Sequence, residues 1–336
     1  MYLDLNKDKI DMVNMKIYLF IFYFLFISNS FSQSLKYAGT LPIKHHLSES
    51  QKLFADKVNE KTNGKLKIEI FPAGQLYKAH EIPSAVATGS VDIGFNLTTV
   101  WTKDLISEIN DVPFLMGNAN QVAKAWDQNE KLFKYYSKTM ENRQMKTLGM
   151  ILFGSFFDIS SNKKIVNPED FTGKKIRSAS AISSETIRAL GGSPVTMDPA
   201  EMYLGLQSGT IDAAITGITS IDQRKLWENS KHVTVAGSAF GVFAVNMNLQ
   251  VFNKLSKDNQ NALLQAAAEV QQWSVERSIK EDNQSEEFLK TKVELTKLNQ
   301  EQKQKWINKL EPVKNSWMSK ANAEEKDIIN WVTKLK

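Results

Sequence analysis

Glu81-Ile82-Pro83-Ser84-Ala85-Val86-Ala87-Thr88-Gly89-Ser90-Val91-Asp92 is answered, 120 residues on, by Glu201-Met202-Tyr203-Leu204-Gly205-Leu206-Gln207-Ser208-Gly209-Thr210-Ile211-Asp212. Each copy reads as an amphipathic helix stopped by glycine, then a short strand entered through a β-branched residue and aspartate. Each strand empties into a polar loop, Asn96-Leu97-Thr98-Thr99 in the first copy and Thr216-Gly217-Ile218-Thr219-Ser220 in the second. Two equivalent lobes would set these loops at the carboxyl ends of their strands, where open α/β sheets bind ligands. If the lobes face each other, both loops line one cleft. Asn96, Thr98, Thr99, Thr216 and Ser220 are then its candidate polar contacts, and Phe156 and Phe240 its candidate apolar walls.

The surrounding sequence agrees with an α/β fold. Leu35 to Ala38 reads as a strand, followed by a loop through Pro42 to His46. Ser48 and Gln51 have the spacing of a capping box, and Asn63-Gly64 supplies a left-handed stop. Lys65 to Phe71 alternates, with Leu66, Ile68 and Ile70 on one face, as a half-buried strand does. Strand, helix, strand in this order argues for parallel pairing. A second such unit opens at Asn167-Pro168-Glu169-Asp170, a capped first turn, and continues through Gly173 into a strand over Lys174 to Arg177. A helix over Ser184 to Leu190 is broken by Gly191-Gly192. Beyond Asn253 the pattern turns helical, over Asn261 to Ser285 and again over Gln300 to Lys336. Trp306, Trp317 and Trp331 read there as packing anchors of a tail that braces both lobes from behind.

Composition narrows the class. With 336 residues, 42% of them hydrophobic, the chain has the apolar content for a two-domain globular protein. It has no cysteine, which excludes disulfides and a lipid-modified cysteine. The net charge of +5 is too mild for a nucleic-acid partner, though it favours anions. Lys7, Lys9 and Lys16 balance Asp4, Asp8 and Asp11, so that charge belongs to the remainder of the chain. Ile17 to Ile27 is wholly apolar but only about half the roughly twenty residues a bilayer requires. Preceded by Met15-Lys16 and followed by Ser30-Phe31-Ser32, it reads as a cleavable export signal in residues 1–32. The mature chain then starts near Gln33, with Met15 a second candidate initiator. A Gram-negative periplasmic protein, not itself membrane-embedded, is the expectation.

No constellation for catalysis is present. His45, His46, His80 and His232 lack metal-ligand spacing, and adjacent His45 and His46 are expected to point different ways from a loop. There is no GxSxG elbow, P-loop or GxGxxG motif, so no catalytic residue, metal or cofactor is expected. Arg177 stands out. It ends a strand and is followed by small Ser178-Ala179-Ser180, which leaves room for its planar fork to grip a carboxylate. The competing reading is a salt bridge at the surface or between lobes.

Several stretches together resemble a known family. They are Phe71-Pro72-Ala73-Gly74-Gln75-Leu76, Ala87 to Asp92, Val112-Pro113-Phe114-Leu115, Asn167 to Arg177, and Met197-Asp198-Pro199-Ala200-Glu201 through Gly209. In this order they resemble the DctP-type substrate-binding subunits of TRAP (tripartite ATP-independent periplasmic) transporters. The resemblance implies a two-lobe, type II-like periplasmic binding fold with hinge strands crossing twice and a long helix spanning both lobes. On that pattern, residues 33–153 and 243–284 form lobe I, and residues 154–242 and 285–336 form lobe II. It implies that Arg177 binds a carboxylate of a small organic anion, with a sulfonate as the related case. The implied partners are two membrane subunits driven by a sodium gradient, and the protein is expected to be a monomer. Three departures stand out. Gly154-Ser155-Phe156-Phe157 has phenylalanine where sialic-acid-type members carry a second arginine. Asp212 to Gly217 lacks the family's Glu-Asn-Pro, and Leu97 replaces an acid. The pocket is therefore expected to have lost charge. The alternatives are an exported two-lobe enzyme such as a hydrolase, or a binding protein serving an ABC importer or a sensor kinase.

Overall fold

In chain order the strands are β1 (Gln33–Ala38), β2 (Leu66–Phe71), β3 (Ile93–Leu97), β4 (Met145–Phe156) and β5 (Asp158–Ser161). They continue with β6 (Lys175–Ser178), β7 (Ser193–Thr196), β8 (Ala213–Thr216), β9 (His232–Val235), β10 (Ala239–Asn248) and β11 (Glu294–Lys297). These come from a computed structural model that describes residues 33–335; the export signal expected in residues 1–32 lies outside the described residues. Two sheets result, one ordered β2-β1-β3-β10-β4 and the other β11-β9-β5-β8-β6-β7. β1 and β3 are parallel, as are β6 and β8, whereas β10 runs antiparallel to both β3 and β4.

The repeat is structural. Gly89 and Gly209 both end their helices in the left-handed region, at φ 78° and 70°. The Asp92 carboxylate accepts the Lys36 N–H at 2.7 Å, and the Asp212 carboxylate accepts the Lys175 N–H at 2.7 Å. Each aspartate thereby ties the start of its own strand to the strand beside it. In the matching registers Ala38 faces Gly94 and Arg177 faces Ala214, so Ala38 stands in the first sheet where Arg177 stands in the second.

The sheets exchange chain at two crossings. β4 passes into β5 through Gly154, at φ 119°, and Phe157, at φ 71°. β9 passes into β10 through Gly237, at φ 58°. Asp158 ties the crossings together: its carboxylate accepts the Ser155 hydroxyl at 2.6 Å and the Ala236 N–H at 3.2 Å. Burial pushes that carboxyl up to about 6.

β4 is an edge strand, and the helix Lys257–Lys290 runs along it. At 34 residues the helix is about 51 Å long. Its side chains accept N–H groups that a further strand would otherwise take. Met150 donates to Gln271 at 2.9 Å, Leu152 to Ser274 at 3.0 Å and Ser155 to Asp282 at 2.7 Å. Burial holds the Asp282 carboxyl well above the usual carboxylate range. A Cβ on Gly154 would lie 2.6 Å from an Asp282 oxygen, so only glycine lets the helix grip this turn.

Of the tail tryptophans, Trp306 and Trp317 are fully buried. Trp306 donates its indole N–H to Val166 O at 2.8 Å and packs on Phe171, the kind of anchor whose truncation costs about 3–5 kcal/mol. The first helix starts earlier than the sequence suggests, spanning His46–Lys61. The Ser48 hydroxyl turns back to Pro42 O at 2.8 Å, and the His45 ring caps the helix by accepting the Leu47 N–H at 3.2 Å. Asn63 and Gly64 end it in the left-handed region, as expected.

Candidate functional site

Arg177 lies in β6, flanked by β7 and β8, and is 3% exposed. A residue this buried keeps its charge only with acceptors near by. Nε donates to Met197 O at 3.2 Å and Nη1 to Ile215 O at 2.9 Å, the latter a carbonyl of the strand alongside. Burial first, then the charge of Arg224, draws its pKa down to about 10, while Asp198 and Asp111 act the other way. The guanidinium is charged at neutral pH. Two of its five N–H bonds are engaged, and Nη2 has no hydrogen bond among the described residues.

It opens on a cavity of about 160 Å3. Thr40, Asn96, Leu97 and Val100 line it from the first sheet's side, Met197 and Asp198 from the second, and Phe243 from β10. Hydrogen bonds cross between the two sides, two of them between side chains. The Ser180 hydroxyl donates to Asp111 at 2.7 Å, and the His45 Nε2 meets the Ser220 hydroxyl at 3.2 Å. Asp111 is buried, which pushes its carboxyl up to about 7 against the Ser180 hydrogen bond; Glu108 adds to the rise and Arg177 opposes it.

Of the residues singled out from sequence, Arg177 and Asn96 share this cavity. The Asn96 amide is already engaged, donating to Ala79 O at 2.7 Å and accepting the Leu97 N–H at 3.0 Å. Thr98 is buried and donates to Ser107 O at 2.8 Å, whereas the buried Thr99 hydroxyl has no partner among the described residues. Thr216 is buried at the end of β8, next to the carbonyl that holds Arg177. Ser220 meets His45 across the cleft. Phe156 is buried against Phe153, with ring centroids 5.9 Å apart, and Phe240 is buried in β10 with its N–H on Asn110 O at 3.1 Å.

Sequence reasoning missed the aromatic floor and the second cation. Phe153 packs edge-on to Phe243 at 6.0 Å, and Gly217 makes room for it: a Cβ there would lie 2.7 Å from the Phe153 ring and 2.6 Å from Ser155 O. Both histidines stand on the same floor. Their rings stack at 4.6 Å instead of diverging, because His45 caps the helix that His46 begins. His46 donates from Nε2 to Phe153 O at 3.0 Å. Burial draws the His46 ring down to about 4 and takes His45 well below its ordinary range, so both are neutral. Arg224, at the end of the helix Ile218–Gln223, is the second buried cation, and its charge is felt at Arg177 and at His45; no spacing rule marks it in the sequence. Among the described residues no group of His, Asp and Glu could hold a metal, and no helix is long and apolar enough to cross a membrane.

A buried arginine with free N–H groups, opening on a small cavity between two α/β lobes joined by crossing strands, is the arrangement of a protein that binds a small solute. The chain belongs to the DctP family, the bacterial extracellular solute-binding proteins of family 7, whose model matches residues 37–321. It is 28% identical over 272 residues to the 2,3-diketo-L-gulonate-binding periplasmic protein YiaO of Escherichia coli, covering 78% of this chain and 82% of that one. It is 26% identical over 279 residues to the C4-dicarboxylate-binding periplasmic protein DctP of Rhodobacter capsulatus, covering 81% and 82%. A solved Bordetella pertussis solute receptor binding pyroglutamic acid superposes with a TM-score of 0.85 at 21% identity, covering 90% of this chain and 100% of that one. The chain is a solute-binding receptor of the TRAP type and not an enzyme.

Proposed function

We propose that the mature chain captures a small organic anion, a carboxylate or the related sulfonate, in the periplasm and delivers it to the two membrane subunits of a sodium-driven TRAP transporter. The observation that carries this reading is Arg177, a buried charged fork with unused N–H groups opening on a small cavity. The names of the Escherichia coli and Rhodobacter capsulatus relatives, which describe binders of a sugar-derived acid and of C4-dicarboxylates, support it. Arg177 holds the carboxylate by parallel charge-assisted hydrogen bonds. Closure removes water and strengthens that pairing as the local dielectric falls.

Asn96, Thr98, Thr99, Thr216 and Ser220 form the polar lining in this reading, with Thr99 offering an unpartnered hydroxyl. Phe156 and Phe240 form the apolar wall behind it. Lobe I comprises residues 33–153 and 243–284 and lobe II residues 154–242 and 285–336, with β4 and β10 running on across the division as the hinge. The protein is exported by cleavage before Gln33 and works as a monomer, with no nucleic-acid partner. A thermal-shift screen of carboxylates and sulfonates, followed by calorimetry, tests the ligand class. At least one anion should raise the melting temperature of the wild type; a screen in which none does refutes the reading. Intact mass of protein released by osmotic shock tests export.

A further inference from the structure

Two adjacent histidines at the start of the helix His46–Lys61 meet the helix Ile218–Gln223 of the other side. His45 reaches the Ser220 hydroxyl through Nε2 at 3.2 Å, and the His46 backbone N–H donates to the Gln223 side-chain oxygen at 3.3 Å. The contact borders the solute cavity. Thr40, shortly before His45, lines that cavity, and the strand before Ile218 holds Arg177 through Ile215 O.

Hydrogen bonding fixes the tautomer of each ring. His45 Nδ1 accepts the Leu47 N–H at 3.2 Å, so its proton is on Nε2, which donates to Ser220. His46 Nε2 faces Phe153 O at 3.0 Å and donates to it, which leaves Nδ1 as the bare nitrogen, buried without a partner among the described residues. A second proton on either ring enters only at Nδ1. On His45 it ends the helix cap and sets a cation against the positive end of the helix dipole. On His46 it creates a buried charge with no acceptor. The rings stack at 4.6 Å, so charging both brings two cations face to face.

The neighbours add to the effect. Arg224, at the end of the second helix, acts on His45, and Arg277 of the long helix acts on His46. The acids close by are already engaged. Glu49 and Glu281 both pair with Arg277, Glu281 also accepts Gln223 Nε2 at 2.8 Å, and Asp222 accepts the Ser285 hydroxyl at 2.9 Å. Burial, the largest cause, draws His46 from 6.5 to about 4 and takes His45 well below its ordinary value. The joined arrangement therefore keeps its full stability above 6.5 and loses it as pH falls from there toward 4. Asp111 and Glu108, which meet the second side at Ser180 and Ile182, are shifted upward, so their protonation favours the joined arrangement and works the other way.

We propose that the His45–His46 pair is a proton-operated catch between the two sides of the cleft: it holds while both rings are neutral, and acid, by charging them together, parts them from Ser220 and Gln223. The catch does not depend on which solute fills the cavity, so it goes beyond the proposed function and stands or falls apart from it.

The test uses the ligand-free mature chain. With 13C-labelled histidine, ring NMR should show His45 and His46 titrating together below 6.5, over a narrower range than a single independent group covers. Over that range the ratio of joined to parted forms should fall by as much as about a hundredfold per pH unit, the slope for two protons. The chain has no cysteine, so nitroxides attached at Lys67→Cys and Gln207→Cys, exposed positions on either side, report the separation. Their distance should lengthen over the same range and recover on neutralisation. His45→Asn with His46→Gln keeps a cap acceptor and a donor for Phe153 O but no titratable nitrogen, and should abolish the lengthening. Ser220→Trp, which wedges the contact apart, should return both rings toward 6.5. Thermal unfolding establishes that each variant is folded, and the wild-type titration and label pair need neither variant. The proposal is overturned by rings that titrate near 6.5 in wild type, or by a label distance that stays fixed while they take up protons. Lengthening that persists in the double variant, or rings still as depressed in folded Ser220→Trp, overturns it equally.

Discussion

Replacing Arg177 by alanine is the most direct perturbation of the site, because its effects on folding and on binding separate. In the folded chain, the change leaves Met197 O and Ile215 O without their donors. Each buried orphan costs about 1–3 kcal/mol. Against this, burial has drawn the arginine from 12.5 to about 10, so holding the charge costs the fold about 3 kcal/mol, which alanine relieves. The two largely offset, and ligand-free stability should change by no more than about 3 kcal/mol. Binding has no such compensation. A buried carboxylate that loses a bidentate guanidinium is weakened by about 3 kcal/mol or more, a loss in affinity of roughly a hundredfold. Arg177→Lys should recover part of it, since an ammonium supplies charge without the fork. The assay is a calorimetric cycle: wild type and Arg177→Ala, each with the best acid from the screen and with the amide of that acid. If Arg177 and the carboxylate meet, either change alone costs nearly as much as both together. Strictly additive losses would refute the assignment.

Three further outcomes follow from the geometry. Asp111 is raised to about 7 in the folded chain from 3.8, so the native state binds the extra proton between those values and its stabilisation is lost as pH rises through that window. Urea denaturation should show wild type losing stability relative to Asp111→Asn between pH 4 and pH 7, by at most about 4 kcal/mol, and parallel curves would contradict it. Gly217→Ala should cost about 1–3 kcal/mol, because its Cβ would press on Ser155 O and the Phe153 ring, and a neutral result would mean the floor gives way freely. Asp282→Leu strands the Ser155 N–H and should cost about 1–3 kcal/mol, whereas Asp282→Asn keeps an acceptor there and should cost less; equal losses would show that the grip on Ser155 is immaterial.

The parts of the fold legible in the sequence were those with local causes. The paired aspartates announce themselves because each follows a glycine-stopped helix, and their 2.7 Å hydrogen bonds to Lys36 and Lys175 are the reason for the repeat. Arg177 is legible by its place at a strand end before small residues, and Asn167-Pro168 by its turn chemistry. What stayed hidden depends on partners far along the chain. His45 looks like a loop residue until the helix it caps is in view, and its contact with Ser220 spans 175 residues. Asp282 is one acid among many on a polar helix face, marked only by Gly154 lying against it. Arg224 follows a short helix with nothing beside it in the sequence to suggest that it is buried.

The row of hydrogen bonds from the helix Lys257–Lys290 to β4 has a mechanical consequence. A neighbouring strand would brace β4 evenly, whereas Gln271, Ser274 and Asp282 fasten it at three rivets and leave no run of free N–H groups for a foreign strand to seize. The last rivet, at Ser155, comes two residues before the left-handed turn at Phe157. Up to that point strand and helix form a single beam. Ser155 is therefore where that beam ends, and beyond it the chain passes to the second sheet over the few residues from Phe156 to Asp158.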